Sequence, residues 1–499
     1  MLASLRYAWR LLGIGRTLAR HNALFPFELL PQARPFLRLA KPFVNEDAAG
    51  RPGQRLAAAL EELGPSFIKF GQSLATRTDL LGEAIARDLA TLQDALPSFP
   101  AEAARATIAA DLEQPVEALF SAFEDRPVAA ASVAQVHFAT TTEGAEVAVK
   151  VLRPGIERAI ERDLGFFTWL ARLIERTQPQ LRHFKPVEAV AIFARSTRGE
   201  LDLRLEAAAA VELGENAEDY VGFRVPWVDW RRTSRRVVTL ERIIGQGVDD
   251  RAALIRAGHD PDRIMENAAR AFFSQVFKDG FFHGDMHPGN MLIDREGTIV
   301  ALDFGIMGRV DMSDRRHMAE ILVGFLERDY AKVADVFFAA GFLPDDADRM
   351  AFVQAVRSIG EPILGLPLEE ISFGRLMGQL LAMAEQFRMQ TQPQLLLLQK
   401  TMVVAEGVGR LLNPQVNMWQ LAQPLVEEWI LVNLGPRARV RQAVTDGLEM
   451  AGRLPHLVRR LEEALERDRD RHLHVDRVTL LHGWLWPLLL GLLIGLALR

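Results

Sequence analysis

Three oxygen-bearing side chains lie close together in FFHGDMHPGN (281–290) and IVALDFG (299–305): Asp285, Asn290 and Asp303. A carboxylate at Asp285 can accept a proton or position a nucleophile. The Asn290 amide oxygen and the Asp303 carboxylate are hard ligands suited to Mg2+ carried on phosphates. Far upstream, Val147-Ala148-Val149-Lys150 offers a cation on an alternating apolar run, a counter-charge for phosphate. Each feature alone is weak, because a single loop aspartate is usually a turn or cap residue.

Jointly they are specific. Asp285 and Asn290 are five apart, and Asp303-Phe304-Gly305 begins 18 residues after Asp285. With Lys150 upstream, this is the order of a kinase-type catalytic loop, magnesium loop and strand lysine acting on ATP. A competing reading takes His283, Asp285 and His287 as an alternating zinc-ligand set for a hydrolase. It leaves Asn290, Asp303 and Lys150 unexplained.

Positioning these groups requires a small strand-containing lobe and a larger helical one. Pro127 to Pro154 has β-branched runs on either side of Glu143-Gly144, the pattern of a hairpin. Val147, Val149 and Val151 share one face of its second strand and Lys150 the other. Helical patterns run from Ile156 to Glu218, a strand is expected within Val237 to Gly245, and the remainder is mainly helical around a loop-rich stretch at 283–308. The segment before about Asp125 reads as helical. The expected fold is α+β and protein-kinase-like. Its divisions are a helical extension at 1–125, a small nucleotide lobe at 126–245, a helical lobe at 246–440, a charged connector at 441–477 and an anchor at 478–498.

From about Leu63 to Pro414 the chain resembles the UbiB family. LGPSFIKFGQSLATRTDLL carries the Lys69-Phe70-Gly71-Gln72 signature, AAASVAQVH resembles the alanine-rich loop, and GELDLRLEAAAA carries Glu200-Leu201-Asp202 and Glu206. LLLLQKTMVVAEGVGRLLNP is similar as well. The pattern departs where Ala-Ala follows Glu206-Ala207 in place of an asparagine. The resemblance implies that Ala129, Ala130, Ala131, Ser132 and Val133 form the loop over the nucleotide. The Cβ atoms of its alanines deny the backbone the positive φ that glycines allow. It implies that Lys69, with Gln72 on the same helical side, turns into the cleft where a protein substrate would lie. Glu200 and Glu206, read as sharing one helix, are the candidates to pair with Lys150 and Lys69, and Asp202 is a candidate metal or lysine contact or an exposed helical charge. The implied activity is magnesium-dependent ATP hydrolysis supporting ubiquinone biosynthesis, with membrane lipids, quinone precursors and other enzymes of that synthesis as partners.

Composition sets the surroundings. With 59 Lys+Arg against 65 Asp+Glu the formal charge is -6, which argues against general nucleic-acid binding. Cysteine is absent, so disulfides and thiolate-bound zinc are excluded. From Met1 to Asn45 seven basic residues face one acidic residue, and Leu2, Leu5, Trp9 and Leu12 recur at near-helical spacing. This helix is suited equally to a membrane surface or to packing. Val478 to Leu498 is a 21-residue apolar run with Trp484 and Trp486, about 30 Å long as a helix, expected to span the bacterial inner membrane or lie at its interface. Arg467, Arg469, Arg471 and Arg477 precede it, which puts the catalytic region in the cytoplasm. Gly491 and Gly495 form a GxxxG pair, a hint of a homodimer. Two other functions fit the motifs: a small-molecule phosphotransferase, and a nucleotide-binding scaffold for quinone enzymes. A protein kinase fits poorly, since no Ala-Pro-Glu follows Asp303-Phe304-Gly305.

Overall fold

The computed structural model describes residues 2–25, 37, 41–75, 81–89, 92, 97–179, 182, 185–364, 379, 383, 386–389, 393–413 and 418–433. The described residues up to Glu427 form one compact unit.

Helices α1 (Leu2–Arg20), α2 (Pro52–Leu63), α3 (Pro65–Ala75) and α4 (Glu83–Leu89) open the chain, followed by α5 (Ala101–Leu112). Pro52 and Pro65 each sit at a first helical position, where the missing N–H costs nothing, and Gly64 separates the two helices at φ 101°. One face of α1 packs inward through Ile14, Leu18 and Ala19, and Arg10 pairs with the buried Asp163. Trp9 and Leu12 remain exposed on the other side. Packing therefore accounts for one stripe of α1 and leaves a second uncovered. Gly71 on α3 is a packing requirement, because a Cβ there would lie 2.5 Å from Leu92 and 2.6 Å from Leu60.

Strands β1 (Phe120–Phe123), β2 (Ala129–Ala130), β3 (Ala134–Thr141) and β4 (Glu146–Leu152) come next. The strand at Phe120–Phe123 corrects the wholly helical expectation for the opening segment; its pairing with β3 overrides local propensity. Gly144, at φ 91°, makes the β3–β4 turn. Val147, Val149 and Val151 are fully buried on one face of β4. Helices α6 (Ile156–Thr177), α7 (Pro186–Gly199) and α8 (Leu203–Asn216) follow, then β5 (Phe223–Arg224), β6 (Val237–Glu241) and β7 (Gln246–Gly247). The larger sheet has the order β1-β3-β4-β6, with β2 also on β3. Register places Lys150 opposite Val136 and Val238, at the middle of the sheet. Phe70 of α3 stacks on Phe167 of α6 at 4.7 Å and meets Phe193 of α7 edge-on at 5.6 Å, so aromatic packing fastens α3 to this lobe.

The helical lobe begins with α9 (Arg251–Arg256) and α10 (Pro261–Phe273), each opened by an aspartate cap, Asp250 and Asp260. Four short strands then alternate with loops: β8 (Phe281–His283), β9 (Met291–Ile293), β10 (Ile299–Ala301) and β11 (Met307–Arg309). The chain continues through α11 (Met312–Leu326), α12 (Tyr330–Ala339), α13 (Arg349–Leu364), α14 (Pro393–Leu412) and α15 (Met418–Asn433). Tyr330, Phe337 and Phe352 centre a separate core of α12 and α13. Among the described residues no helix is long and apolar enough to cross a membrane. The apolar run at 478–498 and the connector at 441–477 lie outside the described residues.

Candidate functional site

The two chemistry-bearing loops are held at the ends of paired strands. β8 leads into the Asp285 loop and β11 leaves the Asp303 loop, and these strands pair antiparallel with Met307 opposite His283. β9 follows Asn290 and β10 precedes Asp303; they pair as well, with Ala301 opposite Met291. Ile299, Val300 and Ala301 are buried, so the Asp303 loop starts from a fixed point. Within the first loop Asn290 Nδ2 donates to the Asp285 carbonyl at 3.0 Å, which fixes the orientation of its amide. Leu302 N–H donates to the Asn290 carbonyl at 3.0 Å, tying the loops together. Gly305 N–H donates to Asp303 Oδ1 at 2.9 Å.

Lys150 joins the lobes. Its ammonium donates to Glu206 Oε1 and Oε2 at 2.7 and 2.9 Å and to Asp303 Oδ2 at 3.2 Å. Burial opposes the Lys150 charge, but the Asp303 and Glu206 carboxylates outweigh it and hold the ammonium above its ordinary range. Enclosure also opposes ionisation of Asp303, and Lys150 again prevails, holding it down to about 2. Glu206 behaves differently: burial, with the Asp303 charge adding, pushes it up to about 7 against the pull of Lys150. Two carboxylates thus share one ammonium.

Glu200 and Glu206 do not share a helix. Glu200 stands immediately after α7, at its end, whereas Glu206 lies on α8; the break between them arises because Asp202 caps α8, accepting from Arg204 N–H at 3.3 Å. That break separates their partners: Glu206 takes Lys150, and Glu200 Oε2 takes Lys69 Nζ at 2.5 Å. Asp202 is also paired with the Arg204 guanidinium at 2.6 Å, and it lines the same cleft. Gln72 is turned elsewhere than its sequence neighbour Lys69, donating to the Leu92 carbonyl at 3.3 Å.

Lys69, Ser132, Lys150, Glu200, Asp285, Asn290 and Asp303 all line one cleft of about 930 Å³. Ala131 and Val133 line it too, while Ala129 and Ala130 are strand residues paired with Val136 and Gln135. The Ala131 loop is pinned. Its N–H donates to Ala134 O at 2.8 Å, and its carbonyl accepts from Arg153 Nε and Nη2 at 3.1 and 2.8 Å. The Arg153 guanidinium lies over the Phe99 ring at 5.5 Å, and the buried Gln135 side chain grips the Phe99 backbone at both ends, accepting from its N–H at 3.0 Å and donating to its carbonyl at 3.2 Å. Among the described residues, Ser132 Oγ is buried beside this loop with no hydrogen-bond partner.

The histidines do not form the alternating zinc set. His283 is buried, its Nδ1 accepts from Asp285 N–H at 3.1 Å, and burial pushes its pKa down, keeping it neutral. His287 Nδ1 accepts from Gly289 N–H at 3.0 Å. Among the groups that line the cleft, the Asp303 carboxylate and the Asn290 amide offer hard oxygens. Two hard oxygens on one cleft wall fit magnesium, which keeps waters and shares phosphate ligands.

Sequence reasoning missed Gln135 and Lys400. Lys400, on α14, donates to Asp285 Oδ1 at 3.1 Å across 115 residues. It lies inside the quoted segment LLLLQKTMVVAEGVGRLLNP, but one lysine in an apolar helix carries no local signal of its target.

Comparisons with known proteins show what the chain is similar to. Residues 91–337 match the ABC1 atypical kinase-like domain, and 356–417 match the UbiB helical domain. A protein of Marinobacter nauticus called "Probable protein kinase UbiB" is 43% identical over 81% of this chain and 76% of its own. The protein of the same description from Aeromonas hydrophila is 42% identical over 85% of this chain and 79% of its own. The solved complex of Rv3197 with erythromycin from Mycobacterium tuberculosis covers 79% of this chain and 96% of its own, at 25% identity and a TM-score of 0.48.

Proposed function

This chain belongs to the UbiB family, and from that premise we propose that it binds ATP with magnesium and hydrolyses it in support of ubiquinone biosynthesis at a membrane. The observation that carries the reading is Lys150 held between Glu206 and Asp303 in the cleft that Asp285 and Asn290 also line. In this reading Lys150 holds phosphate, Asp303 and Asn290 hold the metal, and Asp285 positions water. The metal, when bound, neutralises charge on the phosphates. The Lys69–Glu200 pair lines the same opening and favours water over a polypeptide as acceptor.

The test is phosphate release by the purified full chain in lipid vesicles, compared with Asp285→Asn. Loss of the positioned carboxylate should lower turnover by about 100-fold or more while nucleotide binding persists. Equal release from both proteins would leave a nucleotide-binding scaffold as the better reading.

Membrane attachment is assigned to 478–498 on its hydropathy. Truncation before Val478 should move the protein to the soluble fraction with its magnesium-nucleotide thermal shift intact. Continued sedimentation with vesicles would transfer the attachment to other surfaces, such as the exposed stripe of α1 bearing Trp9 and Leu12.

Ala131→Gly probes the loop. Removing the Cβ opens positive-φ conformations and should loosen the Arg153-pinned turn, letting amides approach the terminal phosphate. The ATP-to-ADP preference should change, or self-phosphorylation appear, with loss of quinone production. Unchanged affinities, phosphate release and quinone yield would reduce the loop to a packing element.

A further inference from the structure

Asp285 is held by a cation from a distant element. Its Oδ1 accepts from Lys400 Nζ at 3.1 Å, and its Oδ2 lies 3.7 Å from His287 Nε2. The helix that brings Lys400 is firmly seated. Thr401, next to it, is fully buried and its hydroxyl lies 2.9 Å from the Gly284 carbonyl, while Leu398, Val408 and Leu412 are buried in the main core. The lysine side chain itself keeps 45% exposure, so its stem is rooted while its head faces solvent beside Asp285.

Phosphoryl transfer places negative charge on the outer oxygens of the transferring group, and a cation aimed there lowers the barrier. The catalytic loop has none to offer: Met286, His287, Pro288 and Gly289 separate Asp285 from Asn290 without a lysine or arginine. Of the cations that line the cleft, Lys69 pairs with Glu200, Lys150 with Glu206 and Asp303, and Arg309 with Glu212, and Arg195 lines it as well; Lys400 is the lysine bonded to Asp285 itself. A group that positions the attacking oxygen must lie within hydrogen-bond reach of it. A cation on that group is thereby placed beside the phosphorus.

We infer that Lys400, supplied by the helical domain, is a further catalytic residue whose ammonium bridges Asp285 and the terminal phosphate of bound nucleotide. The inference rests on the nucleotide-site reading above. In the hydrolytic step the water oxygen bonds to the terminal phosphorus and its proton passes to Asp285. The bond from phosphorus to the bridging oxygen breaks, and its electron pair leaves with ADP. Lys400 faces the outer phosphoryl oxygens as their charge grows and holds Asp285 Oδ1, so that Oδ2 is directed to the water. The helical domain thus completes the active site.

Lys400→Met and Lys400→Arg in the full chain, measured for phosphate release and for ATP and ADP affinity, decide the matter. Lys400→Met should lower turnover by about 30-fold or more and reduce the preference for ATP over ADP by about 10-fold, with ADP affinity unchanged. Lys400→Arg should restore turnover to within about threefold of the native chain, because it returns a cation to the same place. If Lys400→Met turns over and discriminates as the native chain does, the inference is overturned. It is overturned equally if ADP binding and melting temperature fall together and Lys400→Arg fails to rescue, since that marks a structural lysine. Should the native chain release no phosphate, the hydrolysis reading fails on its own. The ATP-to-ADP ratio then still decides the Lys400 contact: its loss in Lys400→Met supports the contact, and its retention refutes it.

Discussion

Asp303→Asn should abolish magnesium-dependent nucleotide binding while leaving the fold in place. The amide keeps the size of the carboxylate and can still accept from Gly305 N–H, a contact of 2.9 Å that shapes the turn. What it loses is the charge that a hard cation requires and that Lys150 meets at 3.2 Å. Lys150 would fall back on Glu206 alone, a pairing already bidentate. Turnover should drop by about 1,000-fold or more, the scale of removing a principal charge ligand from a phosphoryl-transfer site. The melting temperature without nucleotide should stay near that of the native chain. Persistent thermal stabilisation by magnesium nucleotide in this variant would remove Asp303 from the metal site.

Glu206 should matter through both stability and activity. Glu206→Ala leaves the Lys150 ammonium, only 17% exposed, without its closest partner, and breaking such a buried pair costs about 3 kcal/mol. Glu206→Gln preserves the shape but shifts Lys150 towards Asp303, where it competes with the metal. ATP affinity should weaken by about 30-fold and turnover by more, on the scale of a lost charge-assisted contact. The native chain and Glu206→Gln also separate in pH. Because Glu206 is pushed up to about 7, the folded chain holds a proton that the unfolded chain has released above the ordinary glutamate range. Its contribution therefore lowers stability as pH rises through that window, and Glu206→Gln should flatten that part of the profile. Denaturant melts of both proteins from pH 5 to 8 measure the difference; parallel profiles would show that Glu206 ionises normally.

How much of this was legible depends on the range of the interaction. The Asp285, Asn290 and Asp303 loops were readable because short spacing and flanking apolar strands are local. Lys150 was readable because alternation along β4 fixes which face it takes. The separation of Glu200 from Glu206 was not, since it depends on Asp202 capping α8, and an aspartate mid-pattern reads as a surface charge as easily as a cap. Phe120–Phe123 was hidden by the opposite problem: four residues that pair only through a distant strand carry too little periodicity to outweigh helical neighbours. Lys400 shows the limit most clearly. Its meaning exists only once α14 folds back across 115 residues to reach Asp285.

The Gln135 grip on Phe99 has a consequence for traffic between the segment before α5 and the cleft. Residues 97–100 lead into α5, and through Gln135, Arg153 and the Ala131 carbonyl they are bonded into the turn that borders the cleft. Free-energy coupling is reciprocal, so whatever stiffens that turn also tightens the strap, and whatever pulls on the strap is felt at the turn by the same amount. A molecule that took hold of this segment on the outer surface would therefore act as a remote lever on nucleotide affinity, without entering the cleft or altering a single residue within it.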